Sequence, residues 1–248
     1  FLDLIFMTNL SIVIPTYNEE KNIFANLATL HGFLTQISED FEIIVVDDGS
    51  TDATCAIIEK AKALVSPRIH LISNSINLGK GAVIKQGMLA SNGNYIFFTD
   101  ADLPYELSFV ITALAKLKQD WDIAVGSRYE SNKTSQEISF TPRTFTSRIF
   151  RLISHILIHT KASDTQCGFK GFRKSVAKKL FNLSVIKGFG FDIEILFLAN
   201  KFNFRVGNLP VTYSKESRVS RVKLLRDSVK ILSEAISVLV NNIQRKYS

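Results

Sequence analysis

"FFTDADLP", residues 97–104, ends an apolar run in two carboxylates one residue apart, Asp100 and Asp102, and then breaks at Pro104. The segment "YIFFTD" (95–100) reads as a buried strand, so the acids stand at its carboxyl end. Charged carboxylates are costly to desolvate and seldom border a core without a partner. A positive group is expected beside them, either a side chain or a metal. With one residue between them, the two acids can reach one cation together, directly or through water. Hard oxygens suit Mg²⁺ or Mn²⁺, which take few protein ligands and complete their shells with substrate phosphates and water. The same tripeptide recurs by chance as a solvated turn, so the surrounding pattern has to decide.

That pattern is an alternation of strands and helices. "LSIVIP" (10–15), "FEIIVVDD" (41–48), "IHLIS" (69–73) and "DIAVG" (122–126) also read as strands. Helical periodicity fills 18–35, 52–64, 80–91 and 105–118 between them. Unbroken apolar strands separated by helices imply an α/β fold with a mostly parallel sheet covered on both faces. Ligands of such sheets bind beyond the carboxyl ends of the strands. Polar residues gather at four of those ends: Pro15 to Glu19, Asp47 to Ser50, Asp100 to Asp102, and Gly126 to Arg128. At the second end, Gly49 allows a tight turn and Ser50 or Thr51 is expected to cap the next helix. Asp47 or Asp48 there could hold a ribose hydroxyl or a base N–H.

The second half is more irregular. A polar stretch with Pro142 (129–142) reads as a loop, and 143–160 as a helix with Arg148, Arg151, His155 and His159 on one face. "DTQCGFKGF" (164–172) reads as a loop, followed by helices near 173–182 and 191–202. "FRVGNLPVTY" (204–213) reads as a strand pair or an edge strand broken at Pro210. From 220 to 245 apolar residues recur at Val222, Leu225, Val229, Leu232, Ile236, Leu239 and Ile243, the spacing of an amphipathic seam. The seam is expected to dock on its own domain, with a homodimer through this helix as the alternative. Residues 7–215 form the expected main domain, 216–248 a basic segment with the terminal helix, and 1–6 an extension ahead of Met7.

Composition bounds the partners. The chain has 248 residues, 46% of them hydrophobic, enough for a substantial core. A formal net charge of +7 favours anionic partners: nucleotides, phosphates or an acidic membrane surface. No nucleic-acid motif is present, so nucleic acid is not an expected partner. Two cysteines, Cys55 and Cys167, form neither a metal pattern nor a disulfide framework, which points to a reducing, cytoplasmic setting. No apolar stretch reaches the roughly 18–20 residues of a spanning helix.

Several basic residues are candidates for binding phosphate. "NLGKGAVIKQG" (77–87) lacks the spacing of a P-loop, so its glycines read as a turn and Lys80 as a diphosphate contact. Arg128, at a strand end, can take a phosphate bidentately or form a surface ion pair. "SKESRVSRVK" (214–223) gathers Lys215, Arg218, Arg221 and Lys223, either a phosphate loop or a solvated basic stretch. No Ser-His-Asp or Cys-His arrangement is indicated.

Taken in order, "SIVIPTYNEEKNI", "EIIVVDDGSTDAT", "NLGKGAVIKQGMLASNGNYIFFTDADL", "VGSRY", "DTQCGFKGF" and "GFGFDIEIL" resemble the inverting family 2 glycosyltransferases of GT-A fold. The likeness runs from about residue 10 to about 232 and is greatest to the polyprenyl-phosphate hexosyltransferases, the dolichyl-phosphate glucose and mannose synthase group. "DTQCGFK" leans to the glucosyl branch. The resemblance implies that Pro15, Tyr17, Glu19 and Asp47 line a nucleotide site, with Asp48, Lys80 and Ala101 alongside. It implies that Asp100 and Asp102 hold Mg²⁺ or Mn²⁺ on the diphosphate of a nucleotide sugar, with UDP-glucose the expected donor. Arg128 and Gln166 would lie near the diphosphate and sugar. Arg218, Arg221 and Lys223 would face the phosphate of a polyprenyl acceptor, with Arg218 counted among the catalytic groups. Mannosyl relatives carry Gln where this chain has Pro104, so the resemblance supplies no third side-chain ligand there. Many bacterial relatives continue into transmembrane helices; this sequence does not, so peripheral attachment at the cytoplasmic face of a membrane is expected. Were the acceptor a glycan hydroxyl instead, a base would be needed, and Asp192 is the candidate. A non-catalytic scaffold of the same fold is the remaining reading.

Overall fold

Seven strands form a single sheet in the order β3-β2-β1-β4-β6-β5-β7. The strands are β1 (Leu10–Thr16), β2 (Phe41–Asp47), β3 (Ile69–Ser73), β4 (Tyr95–Phe98), β5 (Ile123–Ser127), β6 (Lys170–Arg173) and β7 (Val206–Pro210). The helices are α1 (Ile23–Ile37), α2 (Thr54–Leu64), α3 (Lys80–Ala90), α4 (Phe109–Gln119), α5 (Lys174–Leu183), α6 (Phe191–Lys201) and α7 (Leu224–Ile243). The computed structural model describes residues 10–38, 40–128, 162–212 and 224–247. The expected helix at 143–160 and the basic residues 214–223 lie outside them.

The sheet is parallel except for β6, which runs antiparallel between β4 and β5. This short strand stands where the sequence pattern of "DTQCGFKGF" predicts a loop, a correction to that expectation. Glycine and charged residues in β6 hide the strand pattern, and pairing on both sides overrides that local preference. β7 is a single edge strand paired in parallel with β5, and Pro210 closes it.

Period-two alternation divides the strand side chains between two cores. On one face Ile12, Ile14, Ile43 and Phe97 pack against Leu27, Leu30, Ile58, Leu114 and Leu117 of α1, α2 and α4. On the other, Val13, Ile44, Val46, Phe98 and Phe172 meet Val83, Ile84, Leu180, Phe181 and Leu196 of α3, α5 and α6. Each such fully buried side chain contributes roughly 1.5–3 kcal/mol of transfer free energy.

Three helices begin later than periodicity alone predicts, and one of them, α4, starts at Phe109 rather than at 105. α1 starts at Ile23, because residues 18–20 are bound to the facing loop. The backbone N–H of Asn18 donates to Ser50 Oγ at 2.8 Å, and that of Glu19 to Thr54 Oγ1 at 2.8 Å. α2 starts at Thr54, and neither Ser50 nor Thr51 caps it. Ser50 turns back to Asp47, and Asp52 Oδ1 accepts the Thr54 N–H at 3.0 Å instead.

The terminal helix α7 packs on α6 through Ile231, Ala235 and Val238. This face is displaced from the expected seam: Ile236 is 51% and Ile243 80% exposed. Val222 and the side chains of Leu225 and Val229 lie outside the described residues. Among the described residues no helix is long and apolar enough to cross a membrane.

Candidate active site

The carboxyl ends of β1, β2, β4 and β5 share one edge of the sheet, as their common direction requires. The first acid pair on this edge is built into the protein. Asp47 is buried and accepts the backbone N–H of Ser50 at 2.8 Å and its hydroxyl at 2.5 Å. Asp48, also buried, accepts the N–H of Leu78 at 2.6 Å and of Gly79 at 3.1 Å. Burial pushes the Asp48 carboxyl above its ordinary value, and these two N–H groups pull it back. Asp48 thereby fixes the turn that leads into α3. Gly79 in that turn has φ of +99°, and a Cβ there would lie 2.6 Å from the Lys187 carbonyl oxygen. Both facts require glycine.

The fixed turn aims Lys80 at the second acid pair. Lys80 Nζ lies 2.5 Å from Asp100 Oδ1, and Asp100 is about one-third exposed. Burial pulls the Lys80 ammonium down, but Asp100, Asp192 and Asp102 outweigh it and hold its pKa above the ordinary lysine value. Asp102 is half-buried two residues on, and the Ala101 carbonyl between the two acids accepts Asn26 Nδ2 at 2.8 Å. Leu103 closes the turn with its N–H on the Asp100 carbonyl at 3.0 Å and takes a left-handed φ of +45°. A branched side chain in that region costs on the order of 1–3 kcal/mol, strain of the kind that gathers at functional sites. Behind the turn is an apolar cavity of about 10 Å³ lined by Ile12, Phe97, Tyr105 and Val110, too small for a nucleotide.

Asp192, in the first turn of α6, faces the same charges. Its Oδ1 receives Lys170 Nζ at 2.5 Å, and the Lys170 side chain is completely buried. Burial pushes the Asp192 carboxyl up, while Lys170 and Lys80 pull it down. Arg128 is held by Asp164 through Nε at 2.6 Å and Nη2 at 2.9 Å. Gln166 is half-buried on the loop before β6, Pro15 is half-buried at the end of β1, and Tyr17 is exposed beyond it.

The structure thus brings Lys80, Asp100 and Asp192 together and ties Asp48 to the turn carrying Lys80. Arg218, Arg221 and Lys223 lie outside the described residues. Sequence reasoning missed Lys170 and Asp164. A signal for Lys170 was present: it alternates with Phe172 on what becomes a buried strand face, and a lysine there demands a carboxylate.

Among the described residues no three His, Cys, Asp or Glu side chains gather as a metal-holding group. Asp100 nonetheless fits a cation, since an ammonium already sits on its outer oxygen. Two carboxylates with the remaining positions left to phosphate oxygens and water are the donor set Mg²⁺ or Mn²⁺ accepts.

A mostly parallel sheet with its acids along the carboxyl edge is the GT-A arrangement of glycosyltransferases. The same fold occurs in glucosyl-3-phosphoglycerate synthase from Mycobacterium tuberculosis. Its complex with Mn²⁺, uridine-diphosphate-glucose and phosphoglyceric acid superposes with a TM-score of 0.66 at 16% identity, covering 93% of this chain and 79% of that one. Its complex with Mg²⁺ and uridine diphosphate gives 0.61 at 15% identity, covering 93% and 79%. Residues 11–181 match the model of glycosyl transferase family 2, and the chain belongs to that family. Relatives of the chain include proteins named dolichyl-phosphate beta-glucosyltransferase. The protein from Dictyostelium discoideum is 31% identical over 90% of this chain and 73% of its own length. That from Saccharomyces cerevisiae is 32% identical over 92% and 73%.

Proposed function

We propose that this glycosyltransferase moves glucose from UDP-glucose to a dolichyl or similar polyprenyl phosphate, with inversion. The observation that carries the reading is the Lys80–Asp100 contact: a carboxylate at the strand end holding an exchangeable cation, in a chain with relatives named for this reaction. In the transfer, an acceptor phosphate oxygen attacks the anomeric carbon. The bond from that carbon to the diphosphate breaks, and UDP leaves with the bonding electrons. A phosphate monoester is already ionised at neutral pH, so no proton need be removed by the protein. Asp192 is then not required as a base, and its contact with Lys170 fits a role in arranging charge.

The protein's part is to position and to stabilise charge. Pro15, Tyr17, Glu19 and Asp47, with Asp48 behind them, line the nucleotide. Asp100 and Asp102 would hold a divalent cation, which supplies charge neutralisation for the departing diphosphate. Lys80 and Arg128 face that diphosphate, Gln166 the sugar, and Arg218, Arg221 and Lys223 the acceptor phosphate. The lipid acceptor brings the protein to the cytoplasmic face of a membrane as a peripheral protein. The net charge of +7 and the exposed Ile236, Val240 and Ile243 of α7 support this contact. Flotation with anionic vesicles checks it, and sedimentation equilibrium distinguishes a homodimer through α7.

The deciding experiment incubates the protein with radiolabelled UDP-glucose, Mg²⁺ and a short polyprenyl phosphate, then extracts into organic solvent. Label in the organic phase that chelator abolishes is the expected result. No transfer to lipid from any sugar nucleotide would overturn the reading.

A further inference from the structure

Lys170 lies on β6 in register with Phe98, two residues before Asp100. Its ammonium is completely buried and has two polar contacts: Asp192 Oδ1 at 2.5 Å and the Cys167 carbonyl oxygen at 2.8 Å. The Phe98 ring lies 5.4 Å away. The Cys167 contact closes the turn that carries Gly168, and Gly168 is pressed onto Asp100. A Cβ at 168 would lie 2.1 Å from Asp100 Oδ2, so this turn forms the wall against which the carboxylate rests. The Asp192 contact fixes the first turn of α6, from which Asp192 acts on Lys80. One buried ammonium therefore ties together the two elements that border Asp100 and Lys80. A buried ion pair is a poor device for stability alone, because apolar side chains of similar volume do that work as well or better.

We propose that Lys170 is a positioning residue of the transfer site: by holding Asp192 and the Cys167–Gly168 turn, it sets the orientation of Asp100 and the charge facing Lys80. The inference rests on the transferase reading above. It differs from a structural role in what survives when the pair is replaced by apolar groups.

The test compares the wild type with the double variant Lys170→Met, Asp192→Leu. Three quantities are measured: the thermal midpoint, Mn²⁺ binding in the presence of UDP by electron paramagnetic resonance, and kcat and KM for glucosyl transfer. The double variant is expected to keep its midpoint and the KM for polyprenyl phosphate. Its Mn²⁺ affinity and kcat should each fall by about 10- to 100-fold, as when groups that orient a metal ligand are removed. A double variant that folds and keeps both within about 2-fold of wild type overturns the proposal. If the double variant does not fold, Lys170→Arg decides: it retains the charge but alters the reach. A folded Lys170→Arg with unchanged Mn²⁺ affinity and kcat likewise overturns it, and an intermediate loss in both supports it. If wild type itself neither binds Mn²⁺ with UDP nor transfers glucose, the transferase reading falls and this inference falls with it.

Discussion

Two pairs of acids stand at strand ends on either side of β1, and they are used differently. Asp47 and Asp48, at the carboxyl end of β2, are buried and their oxygens receive N–H and O–H groups from Ser50, Leu78 and Gly79. Asp100 and Asp102, after β4, stay partly open, and the contact to Asp100 comes from a lysine side chain. A backbone N–H cannot leave without unfolding a turn, whereas an ammonium on a flexible stem can move aside. The first pair therefore builds the rim, and the second can exchange one cation for another. Similar acidic strand ends acquire different roles through the mobility of what they bind.

The most direct way to break this contrast is Asp100→Asn. If the open acid does the chemistry, glucosyl transfer should fall by about 10³-fold, the scale of losing a charge-stabilising group. The thermal midpoint should move little, because a part-exposed ion pair is worth about 1 kcal/mol or less. Transfer and melting measured on one preparation check both halves. Near-wild-type transfer would remove Asp100 from the proposed metal site.

Asp48→Ala probes the other side. It strands the Leu78 and Gly79 N–H groups, at a cost of about 2 kcal/mol. For a domain of this size that lowers the midpoint by about 4–8 °C. Calorimetry reads the shift, and an unchanged midpoint would mean that Asp48 is not a builder.

The open pair was the more legible one from sequence. An apolar strand running into Asp100 raises the question of a cation by itself, and alternating strands and helices gave the sheet around it. What remained hidden depends on contacts distant in sequence. Lys170 and Asp192 are 22 residues apart, and each sits in an apolar run where it looks out of place alone. β6 carries no strand pattern of its own, because only its two neighbours make it a strand. The start of α1 is set by hydrogen bonds from residues 18–20 across to residues 50–54, beyond the reach of local periodicity. The face of α7 that docks is chosen by α6, and it is not the seam that heptad spacing favours.

Glu194 extends the builder class to a third acid. It is buried and accepts the N–H groups of Val185 and Ile186 at 3.0 Å each and the Tyr247 hydroxyl at 2.5 Å. Burial raises its pKa above the ordinary 4.5, although all three donors pull it down. Between the ordinary and the raised value the folded protein holds more protons than the unfolded chain, so this residue's contribution to stability falls as pH rises through that window. Glu194→Gln should flatten that fall, read as a shallower dependence of unfolding free energy on pH from about pH 4.5 upward. An identical slope in the variant would show that the carboxyl does not titrate in that window.

The smallest effect concerns the floor beneath the open pair. Cys167 precedes Gly168, is fully buried, and has its thiol pushed up to about 11, chiefly by burial. Cys55 is half-buried beside the fixed pair, with its Sγ 3.7 Å from Ser73 Oγ. Thiolate is the reactive form, so both access and acidity favour Cys55. At pH 8 a thiol reagent should titrate one group readily and the second only on unfolding. Rapid reaction of Cys167 in the folded protein would mean that the wall behind Asp100 opens. The exchange assigned to Asp100 would then involve movement of the backbone as well as of the Lys80 side chain.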